Sequence, residues 1–347
     1  MGANRAGKTN LLESIYFLSF GSSFKSRSPQ NLIKIPHQFC SVVGLATINE
    51  RKLSLKINLY KEDSIIKKQF IINRKLRKLS EFLGKVKVVS FLPTDINLVE
   101  SSPAEKRKYF DNLIFQIVPY YYSTVTYLEK VILRRNKVLE RLKQKRAQEE
   151  ELLFWNKELL NYGWEIFLQR KRVINFLNHL LNKIFSQLNQ NQSHLTIKYL
   201  SFLPSYFQKD KKIVTDWWQK KLTQLKNQEI EKTCTLVGPH RDDFRFFLNN
   251  QDLSTLGSRS ELRQTILALK FAEGKLIEKV TQEKPIFLLD DIDSELDKQN
   301  RKCLFEFLEK HQDDFGQIFL TTTSLEKINQ DFLKQAKIFK IEKGYVC

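Results

Sequence analysis

The stretch that decides the fold is "GANRAGKT", residues 2–9, which has the spacing of a phosphate-binding loop, Gly-x4-Gly-Lys-Thr. In such a loop, backbone N–H groups and the start of the following helix surround the phosphates of a nucleotide. The spacing predicts that Lys8 reaches the β- and γ-phosphates and that Thr9 holds Mg²⁺. Gly2 and Gly7 allow the tight backbone path.

A second segment, "PIFLLDD" at residues 285–291, supplies what the loop needs as a partner. It predicts an apolar strand that ends in two carboxylates. Asp290 falls at the strand's carboxyl end, where an α/β sheet presents an acid to Mg²⁺. Asp291 is then placed to orient or activate an attacking water. A simple strand-end turn is the alternative, and the upstream loop makes it the weaker interpretation.

Between these two motifs the residue pattern changes twice. Residues 39–48, 52–60 and 67–75 alternate as strands of an antiparallel layer, and residues 86–95 predict a further strand that runs into a Pro-Thr-Asp turn. Ser102, Pro103 and Glu105 then form the signature of a helix start, and the helical pattern continues to about Asn189. A strand pattern returns before residue 248, and strands and helices alternate to the end, which indicates a parallel sheet.

The long separation of loop and acid resembles ABC-type ATPase heads, in which an arm emerges from the head. The fold class predicted is therefore α/β, an ABC-type ATPase head (P-loop NTPase) with an inserted α-helical arm. We expect three parts: the N-terminal part of the head at 1–101, the arm at 102–232, and the C-terminal part of the head at 233–347.

Composition favours a polyanionic partner. The chain has 58 Lys and Arg against 39 Asp and Glu, a formal net charge of +19, and cations of this kind displace counterions from nucleic-acid phosphates. Because the lysines are spread along the whole chain, solvated surface lysine remains an alternative. The four cysteines show no zinc or redox spacing, which suits a reducing compartment, and no stretch is long and apolar enough to predict a membrane span.

Several strings together resemble the successive landmarks of the RecF family of bacterial recombination mediators. They are residues 2–26, 90–114, 236–244 ("LVGPHRDDF"), 267–273 and 288–297. The resemblance implies a cytoplasmic ATPase of weak activity that dimerises on ATP and binds DNA in an ATP-dependent way. It also implies RecO and RecR partners, loading of RecA at single-strand gaps, and roles in repair, replication restart and the SOS response.

The same resemblance assigns site residues. The nucleotide-binding set comprises Gly2, Ala3, Asn4, Arg5, Ala6, Gly7, Lys8 and Thr9, with Ser258 and Ser260 capping the ATP of a second copy. Thr9 and Asp290 would hold Mg²⁺, and Lys8 and Asp291 would be catalytic. Ser294–Asp297 matches a loop at the dimer interface, Thr321–Thr323 a switch after the last strand, and Asp95 a sensor of the γ-phosphate.

Three departures from the family pattern affect this expectation. Arg5 stands where Gly is usual, and in the dimer signature segment Ser260 replaces Gly and Leu262 replaces Gln. Met1 directly precedes Gly2, so the strand that normally feeds the loop is expected upstream, through a mis-called start or a fragment. A DNA-binding scaffold that lacks hydrolysis is therefore an alternative function. A chromosome-structuring head is a further one, which the short arm without long heptad repeats disfavours.

The landmark "GPHRDDF" has an alternative of its own. His240, Arg241, Asp242 and Asp243 resemble a metal or acid–base cluster, but no third convergent metal ligand is evident nearby. Gly-Pro followed by Asp-Asp also suits a turn between strands. We expect a structural role that positions the arm against the head, with Arg241 as a candidate anion contact.

Overall fold

The computed structural model describes residues 1–3, 5–26, 28–63, 65–189, 193–203, 210–291, 298–311 and 315–347. These residues form two compact units. The first comprises Met1–Leu98, His179–Leu195 and Gly257–Cys347, and the second comprises Val99–Asn178 and Thr196–Leu256.

The described helices are α1 (Lys8–Phe20), α2 (Leu79–Phe82), α3 (Pro103–Ile117), α4 (Tyr121–Lys143), α5 (Glu151–Asn189), α6 (Lys211–Lys232), α7 (Leu253–Leu256), α8 (Arg259–Thr281), α9 (Lys298–Lys310) and α10 (Gln330–Lys334). The described strands are β1 (Phe39–Ile48), β2 (Arg51–Glu62), β3 (Ile65–Ile72), β4 (Lys75–Arg77), β5 (Val88–Phe91), β6 (Leu195–Leu200), β7 (Asp243–Leu248), β8 (Gln251–Asp252), β9 (Ile286–Leu289), β10 (Gln317–Leu320), β11 (Ile341–Glu342) and β12 (Tyr345–Val346).

The first unit contains two main sheets. The antiparallel sheet has the order β1-β2-β3-β4, and the parallel sheet has the order β10-β9-β5. Strand β9 lies between two parallel neighbours, which is why its sequence is apolar on both faces. A core of α1 and strand residues, among them Leu12, Ile57 and Leu288, joins these layers. The predicted antiparallel layer and parallel sheet are both confirmed.

The second unit is mostly helical. Ser102 caps α3 as the sequence predicts: its side chain accepts a hydrogen bond from the Glu105 N–H, and Glu105 returns to the Ser102 N–H. The helical pattern predicted up to about Asn189 is interrupted between α4 and α5, where Lys145 adopts a left-handed backbone with φ of 58°. Strands β6, β7 and β8 form a small sheet within this unit.

The pattern before residue 248 also resolves differently from its prediction. Only Asp243–Leu248 is a strand, because Gly238, at φ of 131°, and the short 3-10 turn Pro239–Arg241 interrupt the extended chain. On β7, Phe244 and Phe246 pack their rings against Phe110 of α3. Residues 233–256 therefore group with the helices, whereas the sequence-based division assigns them to the head.

Candidate nucleotide-binding site

The loop before α1 has a backbone that turns sharply into the helix. Gly7, directly before α1, has φ of 106°, and Arg5 has φ of 65°, so both lie in the left-handed region. A non-glycine residue pays about 1–2 kcal/mol for that conformation. The Ala6 N–H donates to the Ala3 carbonyl at 3.2 Å, which closes the turn. The conformation that glycine usually supplies at residue 5 is thus present with arginine in its place.

Lys8 closes the loop with its side chain. Its Nζ donates to the carbonyl of Gly2 at 2.7 Å and to that of Ala3 at 3.0 Å, and the residue is buried. The loop therefore holds one cation at hydrogen-bonding distance from its own first carbonyls. An ammonium group is stable in a buried position only where oxygen atoms of this kind accept its hydrogen bonds.

The C-terminal hairpin β11–β12 anchors the loop from the outside. The Ile341 N–H donates to the Met1 carbonyl at 2.8 Å, and the Gly344 N–H donates to the Ala6 carbonyl at 2.8 Å. A Cβ on Gly2 would lie 2.4 Å from the Ile341 carbonyl oxygen, so only glycine fits there. Among the described residues before α1, the anchor is this hairpin rather than a strand. Sequence reasoning missed it, and the only signal was the glycine of a two-residue turn.

Thr9, Asp290 and Thr321 meet at the carboxyl edge of the parallel sheet. Leu289 ends β9, Leu320 ends β10, and the two are register partners, so residues 290 and 321 emerge side by side. Both hydroxyls donate to Asp290 Oδ1, from Thr9 at 3.0 Å and from Thr321 at 2.7 Å. The Asp291 N–H in turn donates to the Thr321 hydroxyl at 2.9 Å.

This arrangement fits a magnesium site. Asp290 is 4% exposed, and its carboxylate lies within hydrogen-bonding distance of the Thr9 hydroxyl. Oxygen atoms of this kind are the ligands that Mg²⁺ prefers. Both described hydroxyl bonds fall on Oδ1 of this carboxylate. Asp291 follows directly, with a left-handed backbone at φ of 47°.

Asp95 belongs to a buried ion pair of the first unit. Its Oδ2 lies 3.1 Å from Lys270 Nζ of α8 and accepts the Leu92 N–H at 2.9 Å. The nearby Tyr16 hydroxyl has a pKa raised above its ordinary value, by burial first and by the charges of Asp95 and Glu273 after that. Asp95 is therefore held by a cation that sequence reasoning did not assign to it.

The segment at Ser258 begins helix α8. The Ser258 hydroxyl accepts the Glu261 N–H at 3.3 Å and donates to Glu261 Oε2 at 2.7 Å, a capping box, and Ser260 lies in the first turn. Leu262 is buried within the unit. An apolar residue at position 262 is thus explained by core packing. Asn4 and Ser294–Asp297, which the sequence also nominates, lie outside the described residues.

The "GPHRDDF" residues take structural partners in the second unit. His240 Nε2 lies 3.1 Å from the Thr235 carbonyl, and Arg241 donates to that same oxygen at 3.0 Å. The Asp242 carboxylate accepts a hydrogen bond from the Tyr199 hydroxyl, and the Arg107 guanidinium donates to the Asp242 carbonyl at 2.6 Å. Within the described ranges, no group of three or more His, Cys, Asp or Glu residues could hold a metal ion.

Burial shifts the pKa values of two of these residues in opposite senses. It raises the pKa of Asp242 to about 6, although Arg170 and the Tyr199 hydrogen bond act in the other direction. It lowers the pKa of His240 to about 4, with the charges of Arg241 and Arg107 adding to the effect. An imidazole whose pKa is lowered and a carboxyl group whose pKa is raised are both disfavoured in their charged forms, which suits a packed core better than a proton-transfer site.

A phosphate loop at the start of a helix, a strand-end acid on a parallel sheet, an antiparallel layer and a helical insertion define an ABC-type ATPase head. The sequence profile of the RecF/RecN/SMC N-terminal domain family matches residues 1–346. The protein named DNA replication and repair protein RecF is 32% identical over all 347 residues in Bacillus cereus (strain AH187) and in Bacillus thuringiensis (strain Al Hakam), covering 91% of each relative. The chain belongs to the RecF family.

Solved structures agree with this placement. The recombination mediator protein RecF of the RecFOR pathway, solved with ATP, has a TM-score of 0.87 and 28% identity, with 100% of this chain and 91% of that one covered. An Smc head bound to the C-terminal winged-helix domain of ScpA has a TM-score of 0.53 at 15% identity, covering 99% and 86%, and shows the fold alone. In the described part of this chain, no helix has the length and apolarity that crossing a bilayer requires.

Proposed function

We propose that this chain is an ATP-dependent DNA-binding protein of recombinational repair and replication restart. The observation that carries the proposal is the meeting of Thr9, Asp290 and Thr321 next to the loop that Lys8 closes, because it brings two hydroxyls and a buried carboxylate to the end of a predicted phosphate loop. The similar proteins support it, since one carries ATP and others are named for DNA replication and repair.

In the proposed ATP complex, the phosphates replace the Gly2 and Ala3 carbonyls as partners of the Lys8 ammonium. The N–H groups at the start of α1 donate to the same phosphates. Thr9 and Asp290 would hold Mg²⁺, and a bound Mg²⁺ would supply charge neutralisation at the phosphate oxygens. Asp291 orients the attacking water, and Thr321 fixes the Asp290 carboxylate. We expect slow turnover, typical of a nucleotide switch.

The proposed active form is a dimer assembled by ATP. Ser258 and Ser260 lie at the start of α8, where N–H groups and a helix dipole favour an anion, and each copy would cap the nucleotide of the other. Leu262 adds no polar group to that surface, because it is buried. We therefore expect the ATP-driven dimer to be held weakly.

DNA is the proposed macromolecular ligand, at gaps or at junctions between single and double strands. The net charge of +19 supports it, because neutralised phosphates release counterions. RecO- and RecR-type proteins, loading of RecA, an SOS role and a cytoplasmic location complete the proposal by similarity to the RecFOR protein.

The second candidate is a DNA-binding scaffold without hydrolysis. It is favoured by the Ser258 hydroxyl, which is already engaged by Glu261, and by the buried Leu262. Lys8→Met separates the two, because it removes the phosphate cation. If DNA binding in this variant is unchanged and independent of ATP, the scaffold is the correct function.

The main test is binding to gapped and to fully duplex DNA, with and without ATP, over a series of salt concentrations. We expect ATP to strengthen binding to gapped DNA and a steep loss of affinity as salt rises. Sedimentation with and without ATP tests the dimer. A monomer under both conditions would contradict the proposed ATP-driven assembly.

A further inference from the structure

A groove opens on the second unit between the beginning of α5 and the first half of α6. Its volume is about 590 Å³, within the range of roughly 300–1,000 Å³ typical of ligand sites. One wall is a single face of α5, with residues at positions 153, 156, 157, 160 and 161, and the other is α6 from residue 210 to 219. The nucleotide site is in the first unit, so the groove is not part of it.

The polar lining of the groove is rich in hydrogen-bond donors. Lys157, Lys211 and Lys212 bring three ammonium groups. Asn156 is fixed as a donor as well, because its Oδ1 already accepts from Arg135 Nε at 2.8 Å, which leaves its NH₂ group for the groove. A ligand that satisfies this lining must carry several acceptors and negative charge.

The one carboxylate in the lining is engaged by its own helix. Asp210 caps α6, with Oδ1 accepting the N–H of Lys212 at 2.7 Å and that of Ile213 at 3.3 Å. The groove lining therefore carries three ammonium groups and one carboxylate, and that carboxylate already accepts hydrogen bonds from the backbone of α6. The dipole of the 22-residue helix α6 also has its positive end here.

The apolar part of the lining is aliphatic. Leu153, 63% exposed, and the half-buried Leu160 lie on the α5 wall, and the groove is lined by no aromatic residue among those the structure describes. Bases of single-stranded nucleic acid bind chiefly by stacking on aromatic rings. Leucines beside cations instead suit an aliphatic or aromatic side chain flanked by carboxylates.

We propose that this groove is a docking site for an acidic segment of a partner protein, in which an apolar side chain packs on Leu153 and Leu160 while flanking carboxylates pair with Lys157, Lys211 and Lys212. The site goes beyond the nucleotide and DNA interactions of the proposed function and does not require ATP. Its charge complementarity steers association and selects acidic partners over basic ones.

The test uses the full chain and an array of fluorescein-labelled 12-residue peptides in which the number of Asp and Glu residues and the number of Leu and Phe residues vary independently. We expect peptides that are both acidic and apolar to bind about tenfold more tightly than neutral or purely acidic ones. Reversal of two charges in Lys157→Glu/Lys211→Glu should weaken that binding by about tenfold or more. Leu153→Ser should remove the preference for peptides with Leu and Phe residues and leave the preference for acidic peptides unchanged.

The matched control is Lys130→Glu/Lys137→Glu, which makes the same charge change at two exposed lysines of α4 outside the groove. It should bind the peptides like the unmodified chain, and so should Lys8→Met. Equal weakening in both double variants, no dependence on peptide charge, or no peptide binding at all would overturn the proposal. So would loss of binding to a 20-residue oligothymidine in the groove variant alone, because the groove would then contact nucleic acid.

Discussion

Replacing Thr321 by valine tests how the proposed magnesium site is built. The side chains have nearly the same shape, so the change removes only the hydroxyl that donates to buried Asp290 at 2.7 Å and accepts the Asp291 N–H at 2.9 Å. A bond to a charged group contributes about 1.5–3 kcal/mol and a neutral one about 1 kcal/mol. We therefore expect the free energy of unfolding to fall by about 2.5–4 kcal/mol.

The same variant should also weaken magnesium binding. Groups that orient a metal ligand typically change metal affinity or activity by about 10–100-fold when they are removed. We would titrate Mg²⁺ into the chain with a ribose-labelled fluorescent ATP analogue and take the midpoint of the fluorescence change. The midpoint for Thr321→Val should lie about 10–100-fold higher, whereas nucleotide binding without the metal should change little.

Thr321→Ser is the matched control, because it keeps the hydroxyl and loses only a methyl group. Its magnesium midpoint should stay close to that of the unmodified chain. If Thr321→Val loses stability but keeps the original midpoint, Thr321 only stabilises the sheet edge and does not orient Asp290 for a cation. If serine and valine behave alike, the hydroxyl is not the cause of either effect.

Three further predictions concern single groups. Between about pH 4 and 6 the folded chain keeps the proton of Asp242 that the unfolded chain releases, so this residue makes the free energy of unfolding fall as pH rises. His240 makes it rise over the same range, because there the unfolded chain binds the proton, and each residue contributes at most about 1.4 kcal/mol per pH unit. In urea unfolding, the plot of unfolding free energy against pH should have a more positive slope in Asp242→Asn and a more negative one in His240→Gln, and slopes equal to that of the unmodified chain would contradict both pKa shifts. Arg135→Met should cost about 3–5 kcal/mol, because the Glu229 carboxylate, 2.6 Å from the guanidinium and fully buried, keeps an unpaired charge, and urea unfolding of Arg135→Met/Glu229→Gln should show a smaller loss than the single variant. Arg5→Gly should raise the thermal unfolding midpoint without nucleotide by relieving a left-handed arginine worth about 1 kcal/mol, and an unchanged or lower midpoint would refute that strain.

The sequence predicts which residues form the candidate site, whereas the contacts that support those residues are seen only in the structure. Lys8, Thr9 and Asp290 are predicted as site residues because each carries a local signal: a glycine-spaced loop for the first two and an apolar run before an acid for the third. The position of Asp290 beside Thr321 depends on the parallel register of β9 and β10, and the predicted α/β fold class implies such a parallel sheet. The glycine of the turn is the only sequence signal of the hairpin at Ile341, and its contact with the loop could not be predicted because that contact is made by backbone atoms.

Partners that are distant in the chain were missed for a related reason. Lys270 lies in one of the segments that resemble the family, at residues 267–273, yet nothing in a helical sequence tells which buried lysine pairs with an acid such as Asp95. The Gly238-Pro239 turn, by contrast, was visible in the sequence, and the strand pattern around it obscured how far the turn would shorten β7. Local signals gave the elements, and long-range ion pairs needed the fold.

The state of Lys8 explains how a loop of this kind selects its ligand. Its ammonium already bonds two carbonyls, so a ligand gains affinity only by offering acceptors at least as good in the same place. Charged phosphate oxygens form stronger hydrogen bonds than peptide carbonyls do, whereas a nucleoside without phosphates offers nothing to exchange. Asp290 would act in the complementary way, because its carboxylate repels a phosphate without a metal ion and attracts one that carries a divalent cation. In the proposed site, the two residues together would therefore favour a magnesium-bound polyphosphate over either component alone.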